Sequence, residues 1–253
     1  MFLPRVIPIL LFKDLCLVKT IRFENPRHIG GPINAVKIFN VKEVNEIAFL
    51  DITATKSHVI NFEMISKISQ ECLTPLTYGG GVTKFDDIGR LFKIGIEKVA
   101  INTAAFSNPQ IITEASEAYG SQSVIASIDV SKHANGLYEV FVGNGSIPTG
   151  ADPVSYAKRM EALGAGELLL TSIDRDGTMV GYDIDLIRSV SDAVKIPVIA
   201  SGGAGKLQDL RSAYLHGKAS AVAAGSIFVF FGKKKAVLIT YPDRDELEAL
   251  FVL

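Results

Sequence analysis

A chain of 253 residues with 48% apolar and 21% charged side chains can bury one large α/β core and is too apolar to be disordered. Its net charge of −1, with no long basic run, gives no electrostatic support to nucleic-acid binding. Two cysteines outside any CxxC spacing, Cys16 and Cys72, argue against a disulfide framework or a zinc site and read as reduced cytosolic thiols.

The first apolar run, 5–11, reads as a strand that ends in the polar Lys13 and Asp14. It carries Pro8 and is followed by no small-residue cleavage site, so a secretory signal is not expected from it. Further strands are expected over 47–52, 76–78, 98–101, 123–128, 168–172, 198–200 and 221–224. Most are continuously apolar rather than alternating, the pattern of parallel strands covered on both faces. Amphipathic helices are expected between them, over 33–44, 62–72, 85–94, 109–119, 153–163, 184–194 and 207–215. Asn108 before Pro109 and Asp152 before Pro153 are helix starts. Gly95, Gly120, Gly164 and Gly217 stand where helices should stop. The apolar run 219–231 contains Gly225 and is shorter than the ~20 residues that span a bilayer. The chain is therefore expected to be soluble and cytoplasmic.

Eight strands alternating with helices predict a single (β/α)8 barrel over residues 1–242, with a C-terminal tail at 243–253. A doubly wound open sheet is the alternative. An internal repeat favours the barrel. "TPLTYGGGVTKFDDIGRLFKIGIEKVAINTAAF" aligns without a gap on "IPVIASGGAGKLQDLRSAYLHGKASAVAAGSIF". The alignment matches Pro75 with Pro197, Gly80 with Gly202, Lys84 with Lys206 and Asp87 with Asp209. "VIPILLFKD" and "VIASIDVSK" match in the same way, as do Glu46 and Glu167. Two half-barrels, about 1–120 and 121–242, follow from this.

Catalytic groups of such barrels lie at C-terminal strand ends. Asp129 is the strongest candidate, with Asp51, Asp174 and Asp176 as further carboxylates. Each could instead cap a turn or a helix. Lys19 could reach the mouth from the first loop or could simply be solvated. Glycine clusters between strand and helix let backbone N–H groups crowd onto an anion. They predict two phosphate sites: Gly81 with Asn102 and Thr103, and Gly203 with Ser226, with Asp176 and Gly177 beside the second. Tight turns are the plainer reading of the same glycines. Arg5, Glu46, Lys98 and Glu167 fall at strand starts and could form a charged ring at the bottom, either a stabilising network or a gate. The four histidines show no ligand or triad spacing, and neither a metal nor a cofactor is expected.

These residues resemble the cyclase subunit of imidazole glycerol phosphate synthase. The motifs are "FLDITA", "GGG", "INTAA", "GSQSV", "GAGELLLTSIDRDGT", "GYD" and "PVIASGGAG", and they cover the chain to about residue 230. The resemblance implies a two-fold repeated barrel. It also implies ammonia from a glutaminase subunit docked at the bottom, a gate of Arg5, Glu46, Lys98 and Glu167, and phosphate sites at the glycine clusters. Lys19 and Asp129 match the family's first-loop and catalytic positions.

One departure stands out. The family's general acid–base aspartate in "CLDVKDGRVVKG" is matched here by Leu11 in "ILLFKDLCLVKT", and Leu15 and Thr20 stand at glycine positions. Leucine cannot transfer a proton. In this the chain resembles the family branch that makes acetamidino sugars for bacterial surface glycans, as do the segments 7–40 and 223–242. That implies a phosphorylated or nucleotide-linked acetamido sugar as acceptor, and a further amidotransferase-like protein alongside the glutaminase. Two alternatives stay open: a histidine-pathway cyclase with a substitute acid, and a silent barrel acting as scaffold and ammonia conduit.

Overall fold

The computed structural model describes residues 3–252. Eight parallel strands form a closed barrel: β1 (Arg5–Lys13), β2 (Ile47–Asp51), β3 (Leu76–Gly79), β4 (Lys98–Ile101), β5 (Val124–Lys132), β6 (Glu167–Ser172), β7 (Val198–Ser201) and β8 (Ala221–Ala224). Sequential strands pair in parallel, and β8 pairs with β1 to close the ring. The (β/α)8 barrel is the architecture that the sequence predicts. The open sheet is excluded by that closure.

Strand alternation sorts the side chains into two cores. Ile7, Ile9, Ala48, Ala100, Ile125, Leu169, Ile199, Ala221 and Ala223 point inward and fill the barrel, with Leu11 and Leu50 packed on top. Val6, Leu10, Phe12, Phe49, Val99 and their equivalents point outward against the helices. Being buried on both faces is what makes these strands read as unbroken apolar runs.

The outer helices are α1 (Pro32–Val41), α2 (Phe62–Glu71), α3 (Phe85–Lys93), α4 (Gln110–Tyr119), α5 (Pro153–Ala162), α6 (Ile184–Ser191), α7 (Leu207–Leu215) and α8 (Arg244–Phe251). The last lies in the segment read from sequence as a tail. Asp243 caps it and Glu246 returns the bond, Leu247, Leu250 and Phe251 are buried, and Phe251 meets Tyr214 of α7 edge-on at 5.5 Å. This stretch is a packed helix rather than an appendage. Its acidic first turn, Asp245 and Glu246, masks an apolar face.

Two further departures shape the mouth. β1 runs to Lys13 and turns back into a hairpin, Cys16–Ile21 paired with Glu24–Gly30. Asp14 and Leu15 make the turn, with φ of 49° and 67°. β5 likewise continues into a hairpin through Tyr138–Val142 and Ile147–Pro148. Among the described residues no helix is long and apolar enough to cross a membrane.

Candidate functional site

At the bottom, the four predicted charges meet. Arg5 donates to Glu46 at 2.6 Å and to Glu167 at 2.9 Å, and Lys98 donates to Glu46 at 3.0 Å and to Glu167 at 3.1 Å. This is a closed ring of alternating sign. Thr77 adds a hydroxyl bond to Glu46 at 2.7 Å. Alternation on β1 puts Arg5, Ile7, Ile9 and Leu11 on one inward line, so the ring caps the apolar interior from below.

At the top, a cavity of about 850 Å³ opens among the C-terminal strand ends. It is lined by Lys19, Asp51, Gly81, Asn102, Thr103, Asp129, Asp176, Gly177, Gly203 and Ser226, so the predicted mouth residues other than Asp174 share one space. Leu11 lines it too.

Asp129 sits at the β5 end, half-buried, with Asn102 donating to it at 3.3 Å. Burial, reinforced by the nearby charge of Asp176, pushes its carboxyl up to about 7, against the Thr171 hydroxyl that stabilises the anion. Lys19 is not a solvated loop residue. It lies on the returning hairpin strand, is buried, and donates to the Ile9 carbonyl at 3.2 Å. Burial lowers its pKa, opposed by Asp176. A Cβ on Gly225 would lie 1.7 Å from Nζ, so the bare glycine lets the end of the lysine lie against the backbone there.

Asp176 joins the mouth in a different role from the expected phosphate contact. Its carboxylate accepts from the Thr20 hydroxyl at 3.1 Å and faces Lys19, while burial raises its pKa. Its place as partner of Lys19 and Thr20 ties the first hairpin to the loop after β6. Gly177 supports the same junction: a Cβ there would lie 2.0 Å from the Thr20 carbonyl.

The other glycines permit close approach as well. A Cβ at Gly81 would lie 2.7 Å from the Ala54 carbonyl, and one at Gly203 would lie 2.3 Å from the Gly181 carbonyl. Asn102 also donates to the Ser127 carbonyl at 3.0 Å, and Thr103 accepts from the Gly143 N–H at 3.1 Å. Ser226 is buried and follows Gly225 at the start of a short helix.

Asp51 lines the cavity as well, whereas Asp174 does not, and both carboxylates are engaged by the protein itself. Asp51 caps the short helix Ile52–Ser57 through Thr53 and Ala54 N–H groups, and Asp174 accepts from Ser131 and the Lys132 N–H. All four histidines are exposed. No cluster of His, Cys, Asp or Glu among the described residues could hold a metal.

Sequence reasoning missed the two hairpins over the mouth. Arg22 donates to the Asp176 and Asp174 carbonyls, and Asn144 donates to the Ile52 carbonyl at 3.0 Å. Phe23 packs against Gly145, so the two tips meet above the cavity. The Asn144-Gly145 pair was the available signal for the second turn.

A closed parallel barrel with a cavity at the C-terminal strand ends and an ion-pair ring at the opposite end defines the class: a (β/α)8 barrel. The chain belongs to the histidine biosynthesis protein family, which matches residues 5–235. It is 46% identical over 245 residues to a Pseudomonas aeruginosa protein that carries the provisional name imidazole glycerol phosphate synthase subunit hisF2, covering 96% of this chain and 98% of that one. A Leptospira borgpetersenii protein with the provisional name imidazole glycerol phosphate synthase subunit HisF is 45% identical over 253 residues, 99% of this chain and 100% of that one. The imidazole glycerol phosphate synthase subunit HisF of Alkaliphilus metalliredigens is 43% identical over 229 residues, 90% and 91% of the two chains.

Proposed function

We propose that this protein is the synthase subunit of a glutamine-dependent pair, in which ammonia crosses the barrel and converts an acetamido sugar to an acetamidino sugar for a surface glycan. A glutaminase subunit would dock at the bottom, and the ring of Arg5, Glu46, Lys98 and Glu167 would gate the apolar passage above it. Ammonia would add to the amide carbon at the mouth to give a tetrahedral adduct, and the former carbonyl oxygen would leave as water with two of the protons that the ammonia brought, so that amide plus ammonia gives amidine plus water. Asp129, with a carboxyl that titrates at about 7, would carry the proton, and Lys19 would contact the acceptor. Gly81, Asn102 and Thr103 on one side, and Gly177, Gly203 and Ser226 on the other, would hold its phosphates. A further amidotransferase-like protein is an expected partner in the cytoplasm.

The observation that carries this reading is Leu11. It faces the cavity at the end of β1, where the cyclase motif has its second proton carrier. Losing one of two acid–base groups costs about 10²–10⁴ in rate for a reaction needing both. A strain that makes an amidinated glycan provides the test. Asp129→Asn should abolish amidination, and glycan with undiminished amidination would leave only a conduit role.

The names of the relatives favour a second reading, imidazole glycerol phosphate formation with a substitute acid. Asp14 is the nearest carboxylate on the same strand end. It is exposed, with its backbone at φ 49° and its side chain accepting from Thr53, which makes it a weak substitute.

A further inference from the structure

The floor of the mouth is divided by chemistry. Register pairs Leu11 of β1 with Leu50 of β2, and Leu50 with Gly79 of β3. Across the barrel it pairs Asp129 of β5 with Thr171 of β6, and Thr171 with Ser201 of β7. Each residue of the first set occupies in its half-barrel the place that its counterpart holds in the other: Leu11 for Asp129, Leu50 for Thr171, Gly79 for Ser201. At these three matched positions one wall therefore offers a carboxyl and two hydroxyls, and the other offers hydrocarbon alone.

The apolar wall is a shaped surface. Leu11 and Leu50 are half-buried, line the cavity and rest on the inner core. A Cβ at Gly79 would lie 2.8 Å from Leu50 Cδ2 and 3.1 Å from the Ala100 carbonyl, so the glycine leaves the recess into which Leu50 leans. A polar ligand atom set against this wall would lose its water and gain no side-chain partner. A small alkyl group would lose only unfavourable hydration.

We propose that Leu11, Leu50 and Gly79 form a subsite for a methyl-sized alkyl group attached to the carbon that receives nitrogen. This rests on the acetamido reading and adds the residues that select the acyl group. With the methyl on the leucine wall, the planar amide turns its oxygen toward Asp129, Thr171 and Ser201. The leucines make and break no bond, and they fix which face of the carbon meets the passage from below.

The probes are hexosamines carrying N-formyl, N-acetyl or N-propionyl groups, supplied as 1-phosphates and as UDP-sugars. Affinity is measured calorimetrically for wild type, Leu11→Ala and Leu11→Asp, each first checked for folding by circular dichroism. Wild type should prefer acetyl to formyl by about fourfold, the value of one buried methyl group, and should bind propionyl more weakly than acetyl. Leu11→Ala should shift the optimum to propionyl. Leu11→Asp should erase the acetyl preference. The same rank order in all three proteins would overturn the subsite while leaving the acetamido reading in place. Failure of wild type to bind any of the probes, together with turnover of the imidazole-pathway intermediate, would overturn that reading and remove the subsite's ligand with it.

Discussion

At the residue scale, Asp129 and Lys19 are displaced in opposite directions by the same cause, loss of water around a charge. The folded protein binds the Asp129 proton more tightly than the unfolded chain, whose carboxyl titrates at about 3.9. Its contribution to stability is thus complete below that value and is lost as pH rises toward about 7. Asp129→Asn escapes this loss. Thermal melts should show the variant gaining on wild type between pH 4 and pH 7 and holding the gain above. In activity, the wild-type pH profile should carry a proton-transfer limb at about 7. Leu15 makes a separate case. It holds φ at 67° in an exposed turn, a conformation that costs a non-glycine residue about 1–2 kcal/mol. Leu15→Gly should therefore stabilise the protein by about 0.5–1 kcal/mol after glycine's extra unfolded-state entropy, read from denaturant midpoints.

At the element scale, the sequence was informative where burial is two-sided. The eight barrel strands announce themselves as apolar runs because both faces are covered, and their polar residues, such as Lys98, Glu167, Asp129 and Ser201, gather at the two ends. The hairpins after β1 and β5 were not legible, because each sets a partly buried strand, Cys16–Ile21 or Tyr138–Val142, against an exposed one and so gives no sustained apolar run. Glu24–Gly30 is largely exposed, and its neighbour pairs with it across a turn made by Arg22 and Phe23 rather than by glycine. Helix α8 was obscured by charge: its acidic first turn outweighed the buried Leu247, Leu250 and Phe251 that dock it on α7. Phe251→Ala should cost about 3 kcal/mol in equilibrium unfolding, the usual loss for a buried aromatic. A loss near zero would mean that α8 is dispensable.

At the scale of the whole molecule, the site was legible in its parts and less so in its roles. Strand order alone gathers Gly81, Asn102, Asp129, Gly203 and Ser226 at one end and the four charges at the other. The position of Asp176 against Lys19 needed the first hairpin, which the sequence did not reveal. The ring has its own test. Glu46 is buried and bonds Arg5, Lys98 and Thr77. Glu46→Gln should cost about 3 kcal/mol by leaving cations underpaired. It should also lower the ratio of glutamine-driven to ammonium-driven turnover. An unchanged ratio would make the ring purely structural.

The most direct measurement supplies ammonium and the imidazole-pathway intermediate to the purified protein and follows imidazole glycerol phosphate. With Leu11 facing the mouth in place of a proton carrier, product should form at no more than about 1% of the rate of Leu11→Asp. Wild-type turnover equal to that of the aspartate variant would contradict the account.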